Sequence, residues 1–272
     1  MDSYAVIGNP VAHSKSPIIH TEFARLTGQV LSYRALYSEL PDFEAAVKRF
    51  RDEGGRGLNV TLPFKHRAYT LSERLTDRAE RARSVNTLTF DSSGISGDNT
   101  DGAGLVRDLI NNLGCDVHAR RILLMGAGGA AYGVCGPLLE QQPALLTIAN
   151  RSVEKAITLC EHFNSGDTGA VLRACGYSDL KGQVFDLVIN ATSAGLSDTM
   201  PPLPTGLFAR GAFGYEMVYG KVTPFLEFAT REGARAANGL GMLVEQAAES
   251  FQIWRGVRPQ TADVIAQLRA AT

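Results

Sequence analysis

Lys65 stands just past an alternating stretch, GLNVTLPFK, in which Leu58, Val60 and Leu62 share one face and Asn59 and Thr61 the other. The pattern predicts a short strand over residues 57–62, stopped by Pro63. It delivers an ammonium beside two small polar side chains. A lysine so placed is either a solvated surface charge or a group aimed at a substrate, where it would stabilise negative charge growing on an oxygen. HSKSP carries two hydroxyls, Ser14 and Ser16, on the turn after the first strand. Together they can donate to a carboxylate without a buried counter-charge. The plainer reading makes them caps, with Ser16 at the N-cap and Pro17 at the first helical position. SVNT sets Asn86 at the start of a strand, and GDNTDG sets Asp101 at a turn before a helix, where a carboxylate is usually an N-cap.

A second set of residues suits a nucleotide. GAGGAA (Gly126, Ala127, Gly128, Gly129, Ala130, Ala131) follows the buried run Ile122 to Met125 and opens a helix. In that context glycines let the backbone approach a pyrophosphate, and the helix N-terminus supplies N–H donors and a favourable dipole. Ala131 stands where the third glycine of the strict pattern belongs. The next strand ends at Asn150, Arg151 and Ser152, with Lys155 one turn on. An acid there reads a ribose 2′-hydroxyl and a cation reads a 2′-phosphate; Arg151 can grip a phosphate through two N–H donors. The stretch therefore favours NADP over NAD. Glu154 is read as a helix N-terminal acid.

The elements that must position these groups alternate between strand and helix. YAVIGNP, LSYRAL and residues 57–62 read as strands, SPIIHTEFARLTG and DFEAAVKRF as helices, and NTLTFDSSGISGDN as a hairpin. RILLMGAGGAAYGVCGPLL and ALLTIANRSVEKAITLCEHF each read as strand, turn and helix, with later strands at FDLVINATSAG and RGAFGYEMVY. Such alternation implies crossovers and a parallel sheet. GLGMLVEQAAESFQIWRG and QTADVIAQLRAAT close the chain as helices. On the first of these, Gly239, Met242 and Gln246 share one face and Leu240, Leu243, Ala247, Phe251 and Trp254 another. The fold class expected is α/β, with a first unit over residues 1–101, a second, dinucleotide-binding unit over 102–238, and two closing helices over 239–272.

Composition narrows the partners. With 272 residues, 44% apolar side chains and a net charge of −1, the chain lacks the basic stripe of a nucleic-acid binder and any apolar run long enough for a membrane span. MDSYAVIGNP has no basic stretch before its apolar residues, so no signal peptide is expected. The four cysteines (Cys115, Cys135, Cys160, Cys175) form no C-x-x-C pair and suit a reducing, cytoplasmic setting. The five histidines form no ligand-spaced set, so no metal site is expected.

Taken in order, GNPVAHSKSPIIH, NVTLPFK, SVNTL, GDNTDG, GAGGAA, NRS, NATSAG and GLGMLVEQA resemble the motifs of the shikimate dehydrogenases across essentially the whole chain. The resemblance implies reversible hydride transfer between NADP(H) and C3 of shikimate or 3-dehydroshikimate, in aromatic amino-acid biosynthesis. It also implies an N-terminal substrate domain, a Rossmann-type NADP domain over residues 102–238, and C-terminal helices returning to the first, so that residues 1–101 and 239–272 form one domain. Lys65 matches the family's catalytic lysine and Asp101 its aspartate partner. Ser14, Ser16 and Tyr219 match groups on the substrate carboxylate; Thr61, Asn86 and Gln246 match groups on the ring hydroxyls, with Asn59 close by. Gly126, Ala127, Gly128, Gly129 and Ala130 match the pyrophosphate loop, and Asn150, Arg151, Ser152 and Lys155 the adenosine-phosphate site. Met217 and Gly239 match residues near the nicotinamide, and Asp77 an acidic position near the cofactor. Tyr132 where an arginine is common, Ser152 for threonine and Glu216 for aspartate depart from the family pattern. The partners implied are a small-molecule substrate and NADP, with no nucleic acid and no membrane, in a monomer or homodimer. Two alternatives stay open: a quinate/shikimate enzyme with relaxed cofactor use, and a non-catalytic NADP-binding sensor, which would be expected to lose Lys65 or Asp101.

Overall fold

The computed structural model describes residues 1–164 and 171–271 and divides the chain into two compact units, 1–104 with 243–267 and 105–242 with 268–272. In the first unit the order is β1 (Asp2–Gly8), α1 (Ser16–Thr27), β2 (Leu31–Tyr37), α2 (Phe43–Asp52), β3 (Gly55–Val60), α3 (Lys65–Leu71), β4 (Arg74–Leu75), α4 (Asp77–Ala82), β5 (Thr87–Asp91) and β6 (Gly94–Asp98). The strands form one sheet in the order β2-β1-β3-β5-β6-β4. β1 pairs in parallel with β2 and β3, while β5 and β6 are the expected antiparallel hairpin. Ile7, Leu58, Val60, Phe43, Val47 and Phe64 bury the sheet face against α2 and α3. The strand before Lys65 ends at Val60, two residues earlier than the alternation suggests, because Thr61 begins a turn in which Phe64 N–H donates to its carbonyl.

The second unit begins within α5 (Asp101–Arg107), a few residues after the expected boundary, and α5 runs into a π-helical turn, Asp108–Asn112, that the sequence pattern does not announce. Next come β7 (Arg121–Met125), α6 (Gly129–Glu140), β8 (Leu145–Ala149), α7 (Val153–Phe163), β9 (Val171–Cys175), β10 (Phe185–Asn190), β11 (Phe208–Glu216), α8 (Pro224–Arg231) and β12 (Arg235–Asn238). All six strands are parallel, in the order β12-β11-β10-β7-β8-β9. Renumbered within the sheet this is 6-5-4-1-2-3, the doubly wound order whose ligand crevice lies at the carboxyl ends of the strands where the winding reverses, between β7 and β10. The closing helices are α9 (Leu240–Arg255) and α10 (Ala262–Ala270). The last residue of the expected final helix, Thr272, lies outside the described residues. No helix among the described residues is long and apolar enough to cross a membrane.

Candidate active site

Lys65 is the first residue of α3, so the turn after β3 sets its direction. Its Nζ donates to Asp101 Oδ2 at 2.6 Å, with 28% and 12% of the two side chains exposed. Lys65 is therefore paired and half-buried, not a solvated surface charge. Asp101 opens α5, but its carboxylate does not cap that helix. Oδ2 takes Lys65 and Oδ1 takes Asn86 Nδ2 at 2.8 Å. Asn86, 2% exposed, also donates to Gln246 Oε1 at 3.2 Å, and its Oδ1 accepts the Thr100 N–H at 2.9 Å. Gln246 anchors its own amide on the Leu243 carbonyl at 2.8 Å. Four of the residues singled out from the sequence thus form one hydrogen-bonded group in the first unit.

Asn59 lies beneath this group. It is 5% exposed and all its polar atoms are engaged: Tyr33 Oη donates to Oδ1 at 2.7 Å, and Nδ2 donates to Ser250 Oγ at 3.0 Å and to the Asn86 carbonyl at 3.2 Å. Its bonds make it a brace. His20 stacks on Tyr33 with ring centroids 4.1 Å apart, and its own burial pushes its pKa down to about 3, so the ring is neutral and packs as an aromatic surface. Burial also raises the Tyr33 phenol well above its ordinary value, partly offset by the Ser16 hydroxyl.

The two serines separate. Lys15, not Ser16, occupies the N-cap of α1; Ser16 is the first helical residue, Pro17 the second, and no side chain caps from the N-cap position. Ser14 Oγ instead accepts the Ser16 N–H at 3.2 Å. Ser14 meets a backbone donor at the helix start, which leaves the Ser16 hydroxyl, in a residue only 5% exposed, for other partners. Thr61 is half-buried on the turn before Lys65. Tyr219 belongs to the second unit, half-buried, with burial raising its phenol pKa. Asp77, exposed on the first turn of α4, belongs to the first unit.

The nucleotide residues collect in the second unit. Gly126 adopts φ +103°, and a Cβ there would lie 3.2 Å from the Ala191 carbonyl, so the turn out of β7 requires glycine. Gly128 and Gly129 differ: a Cβ on either meets nothing within 4 Å. Protein packing does not demand these glycines, and with exposed Ala130 they leave open space over the start of α6. Gly128 is the N-cap of α6 and offers no side-chain acceptor, which leaves the first-turn N–H groups to a ligand. Ala131 is fully buried in the core, so a small side chain satisfies the helix–strand packing of the third glycine position. This cradle fits a pyrophosphate.

Beyond β8, Asn150 Nδ2 folds onto the Ser152 carbonyl at 2.9 Å, while Arg151 and Lys155 are exposed. Glu154 accepts from Ser152 Oγ at 2.9 Å within the first turn of α7, as a helix N-terminal acid does. Arg151 therefore stands at the strand end with no acid in the ribose-reading position, which fits a 2′-phosphate. Gly239 precedes α9, so it does not share a helical face with Met242 and Gln246. A Cβ on Gly239 would strike the Met217 carbonyl oxygen, and this close approach places the two residues together. Met242 is 7% exposed within the apolar core and is a packing residue. Glu216 is fully buried; burial raises its pKa, opposed by the Val218 N–H, Asn190 Nδ2 and Thr223 hydroxyl that donate to it.

The sequence reading passes over Tyr33, Thr87, Thr100 and Ser250, all bonded into the Asn59–Asn86 layer. Ser250 carried a signal, standing one turn after Gln246 on α9. Thr87 and Thr100 are immediate neighbours of Asn86 and Asp101. Tyr33 sits on β2 with nothing in its local pattern to mark it.

Comparison with known proteins matches three family models: "Shikimate dehydrogenase substrate binding domain" over residues 6–88, "Shikimate / quinate 5-dehydrogenase" over 108–197 and "Shikimate 5'-dehydrogenase C-terminal domain" over 239–269. A curated relative from Aromatoleum aromaticum, a shikimate dehydrogenase (NADP(+)), is 58% identical over 99% of this chain and 97% of its own. Among solved structures, an Ael1 enzyme from Pseudomonas putida is 49% identical with a TM-score of 0.93, covering 98% of each chain. Shikimate 5-dehydrogenase from Thermus thermophilus, in complex with NADP(H) and shikimate, is 32% identical with a TM-score of 0.89, covering 100% of each chain.

Proposed function

We infer a residue-level mechanism from one premise: this chain belongs to the shikimate dehydrogenase family, and it is an NADP-dependent oxidoreductase that interconverts 3-dehydroshikimate and shikimate. The observation that carries the mechanism is the Lys65–Asp101–Asn86 arrangement. When bound, NADPH supplies the hydride that reduces the C3 carbonyl. Negative charge then grows on the carbonyl oxygen. Lys65 stabilises that charge and donates the proton that completes the new hydroxyl. Asp101 compensates the ammonium and holds Nζ in direction, and Asn86 in turn fixes the Asp101 carboxylate. In the oxidative direction the Lys65–Asp101 pair takes the hydroxyl proton.

Ser14, Ser16 and Tyr219 hold the substrate carboxylate, and Thr61, Asn86 and Gln246 meet the ring hydroxyls. Asn59 acts through Asn86 as a brace. Gly126 to Ala130 and the start of α6 hold the pyrophosphate; Asn150, Arg151, Ser152 and Lys155 hold the adenosine 2′-phosphate end; Met217 and Gly239 flank the nicotinamide. Asp77 is kept as a residue near the cofactor on the strength of the family pattern alone. The protein works in the cytoplasm, which suits four cysteines that form no disulfide among the described residues, as a monomer or homodimer.

Assays of shikimate and quinate, each with NADP and with NAD, test this reading. Shikimate with NADP is expected to be the fastest combination. Failure to reduce 3-dehydroshikimate with NADPH, by protein that is folded, contradicts it.

A further inference from the structure

The Lys65–Asp101 pair rests on a layer of uncharged polar side chains, all in the first unit. Thr87 on β5 and Ser250 on α9 are 1% and 0% exposed, and their hydroxyls lie 2.8 Å apart. Their contacts are with amides, with the Thr100 hydroxyl and with each other. Thr87 Oγ1 donates to Asn86 Oδ1 at 2.9 Å. Asn59 Nδ2 donates to Ser250 Oγ at 3.0 Å and to Thr87 Oγ1 at 3.3 Å. With the Thr87 proton on Asn86, the single Ser250 proton is shared between the Gln246 carbonyl at 3.0 Å and Thr87 Oγ1, and Ser250 Oγ stands 3.3 Å from Thr100 Oγ1.

The direction of each bond matters because a side-chain amide has two ends with opposite roles. An ionised Asp101 can only accept, so Asn86 must turn Nδ2 towards it. Turned over, the amide would place oxygen against the carboxylate at 2.8 Å and NH2 against the Thr100 N–H. The Thr100 N–H, which can only donate, selects the productive orientation, and the Thr87 hydroxyl, which accepts from Asn59 Nδ2, gives its proton to Oδ1 in support. Asn59 repeats the logic one layer down: the Tyr33 hydroxyl donates to its Oδ1 and so sends Nδ2 towards Thr87, Ser250 and the Asn86 carbonyl. The hydrogen bonds run without a gap from Tyr33 through Asn59, Thr87 and Asn86 to Asp101 and Lys65.

We propose that Thr87 and Ser250 are positioning residues for the reaction, a buried hydroxyl pair from β5 and α9 that keeps the amides of Asn59 and Asn86 facing the way the Lys65–Asp101 pair requires. The proposal rests on the assignment of the chemistry to Lys65 and Asp101. Without the Thr87 hydroxyl, Asn86 Oδ1 keeps only the Thr100 donors and Asn59 Nδ2 only the Ser250 and Asn86 acceptors, so the direct hydrogen-bonded link between the two amide side chains is lost in a buried layer. Asp101 then loses its fixed orientation, and the direction of Lys65 Nζ goes with it. The nucleotide-holding residues of the second unit take no part in these bonds.

The test is kinetic. Thr87→Val, which removes only the hydroxyl from a side chain of nearly the same shape, is expected to lower kcat for shikimate oxidation by roughly fivefold to a hundredfold, the scale of a misdirected catalytic group. KM for NADP is expected to stay within about twofold, since nothing the pair touches is assigned to the cofactor. Thr87→Ser, which keeps the hydroxyl, is expected to restore most of kcat. Ser250→Ala is expected to lower kcat in the same direction by a smaller factor, and it decides the matter on the same readings should Thr87→Val not fold. Lys65→Ala runs in parallel. If Lys65→Ala keeps wild-type kcat, the mechanism beneath the proposal fails. If Lys65→Ala is inactive while Thr87→Val and Ser250→Ala keep wild-type kcat and lose only melting temperature, the hydroxyl pair is a packing feature and the proposal is overturned.

Discussion

The two units build their sites by opposite means. In the first, the groups assigned to chemistry are side chains held by other side chains: Lys65, Asp101, Asn86 and Gln246 form one hydrogen-bonded set above the buried Asn59, Thr87 and Ser250. In the second, the cradle is backbone and empty space, with Gly128 and Gly129 open to solvent and Arg151 and Lys155 exposed at the strand end. The contrast follows from the task. A proton must be delivered in one direction to one atom, and only a cross-braced side chain keeps that direction. A pyrophosphate is a diffuse charge that a helix N-terminus satisfies through many N–H groups. Substitutions in the first unit should therefore spread through the network, whereas those in the second should act singly and selectively.

The largest effect expected from breaking the first unit's bracing is on stability. Arg78 grips Asp98 through two nitrogens, at 2.6 and 2.9 Å, and reaches Glu249 of α9 at 3.1 Å. Arg78→Ala leaves the 8% exposed Asp98 without its cation and is expected to cost about 3 kcal/mol by chemical denaturation, the low end for a buried pair because the arginine side chain is still 29% exposed. The pair also predicts a pH response. Burial pushes the Asp98 carboxyl up, but the Arg78 guanidinium, the Thr76 hydroxyl and the Asn99 N–H outweigh it, so the folded-state pKa lies below the ordinary value. A depressed acid stabilises above its unfolded pKa and loses that contribution as pH falls through the folded one. Wild type is thus expected to lose stability below about pH 4, where unfolded aspartates begin to bind protons, and Arg78→Ala to lose less of it there.

Next in size is the selective effect predicted for the second unit. Arg151→Ala is expected to weaken NADP binding by about 1.5 to 3 kcal/mol, the worth of hydrogen bonds to a charged group, and to leave residual NAD activity almost unchanged. Steady-state KM values for both cofactors measure this; equal losses with both would remove Arg151 from the 2′-phosphate.

The smaller effects fall on the serines and sharpen the comparison. Ser14→Ala removes the acceptor of the Ser16 N–H, so it is expected to cost about 1 kcal/mol of stability as a lost cap does, as well as raising KM for shikimate. Ser16 caps nothing, so Ser16→Ala is expected to raise KM for shikimate with a smaller loss of melting temperature. Kinetics and thermal unfolding of both variants check the difference, and unchanged KM in both would leave the serines as structural residues only.

How much of this was legible in the sequence differs between the units in the same way. Gly126 to Ala130 could be read because a glycine turn between a buried strand and a helix is a local pattern, and the parallel sheet follows from strand–helix alternation. β9 and β12 were harder to see, because VLRAC and RAAN are short edge strands without a long apolar run. In the first unit, Lys65 and Asp101 were visible as residues, but their contact spans 36 positions and no spacing rule predicts it. Asp101 looked like a cap because local sequence favours caps; the cation that claims its carboxylate comes from another element. Ser16 was misplaced as a cap for a related reason, since Ser14, two residues earlier, already meets the N–H of the first turn. Tyr33 and Ser250 act through partners 26 and 191 positions away, beyond the reach of any local pattern.

The central claim is that a braced side-chain pair in the first unit carries the proton chemistry while the second unit supplies the cofactor's berth and, in Tyr219, a substrate contact. Measurement of kcat for Lys65→Ala and Arg151→Ala, with shikimate and NADP both saturating, tests it most directly. Lys65→Ala is expected to fall by at least about a hundredfold, the contribution of a general acid–base group, and Arg151→Ala to regain nearly the wild-type value once the cofactor site is filled. A Lys65→Ala enzyme turning over at close to the wild-type rate would contradict the account.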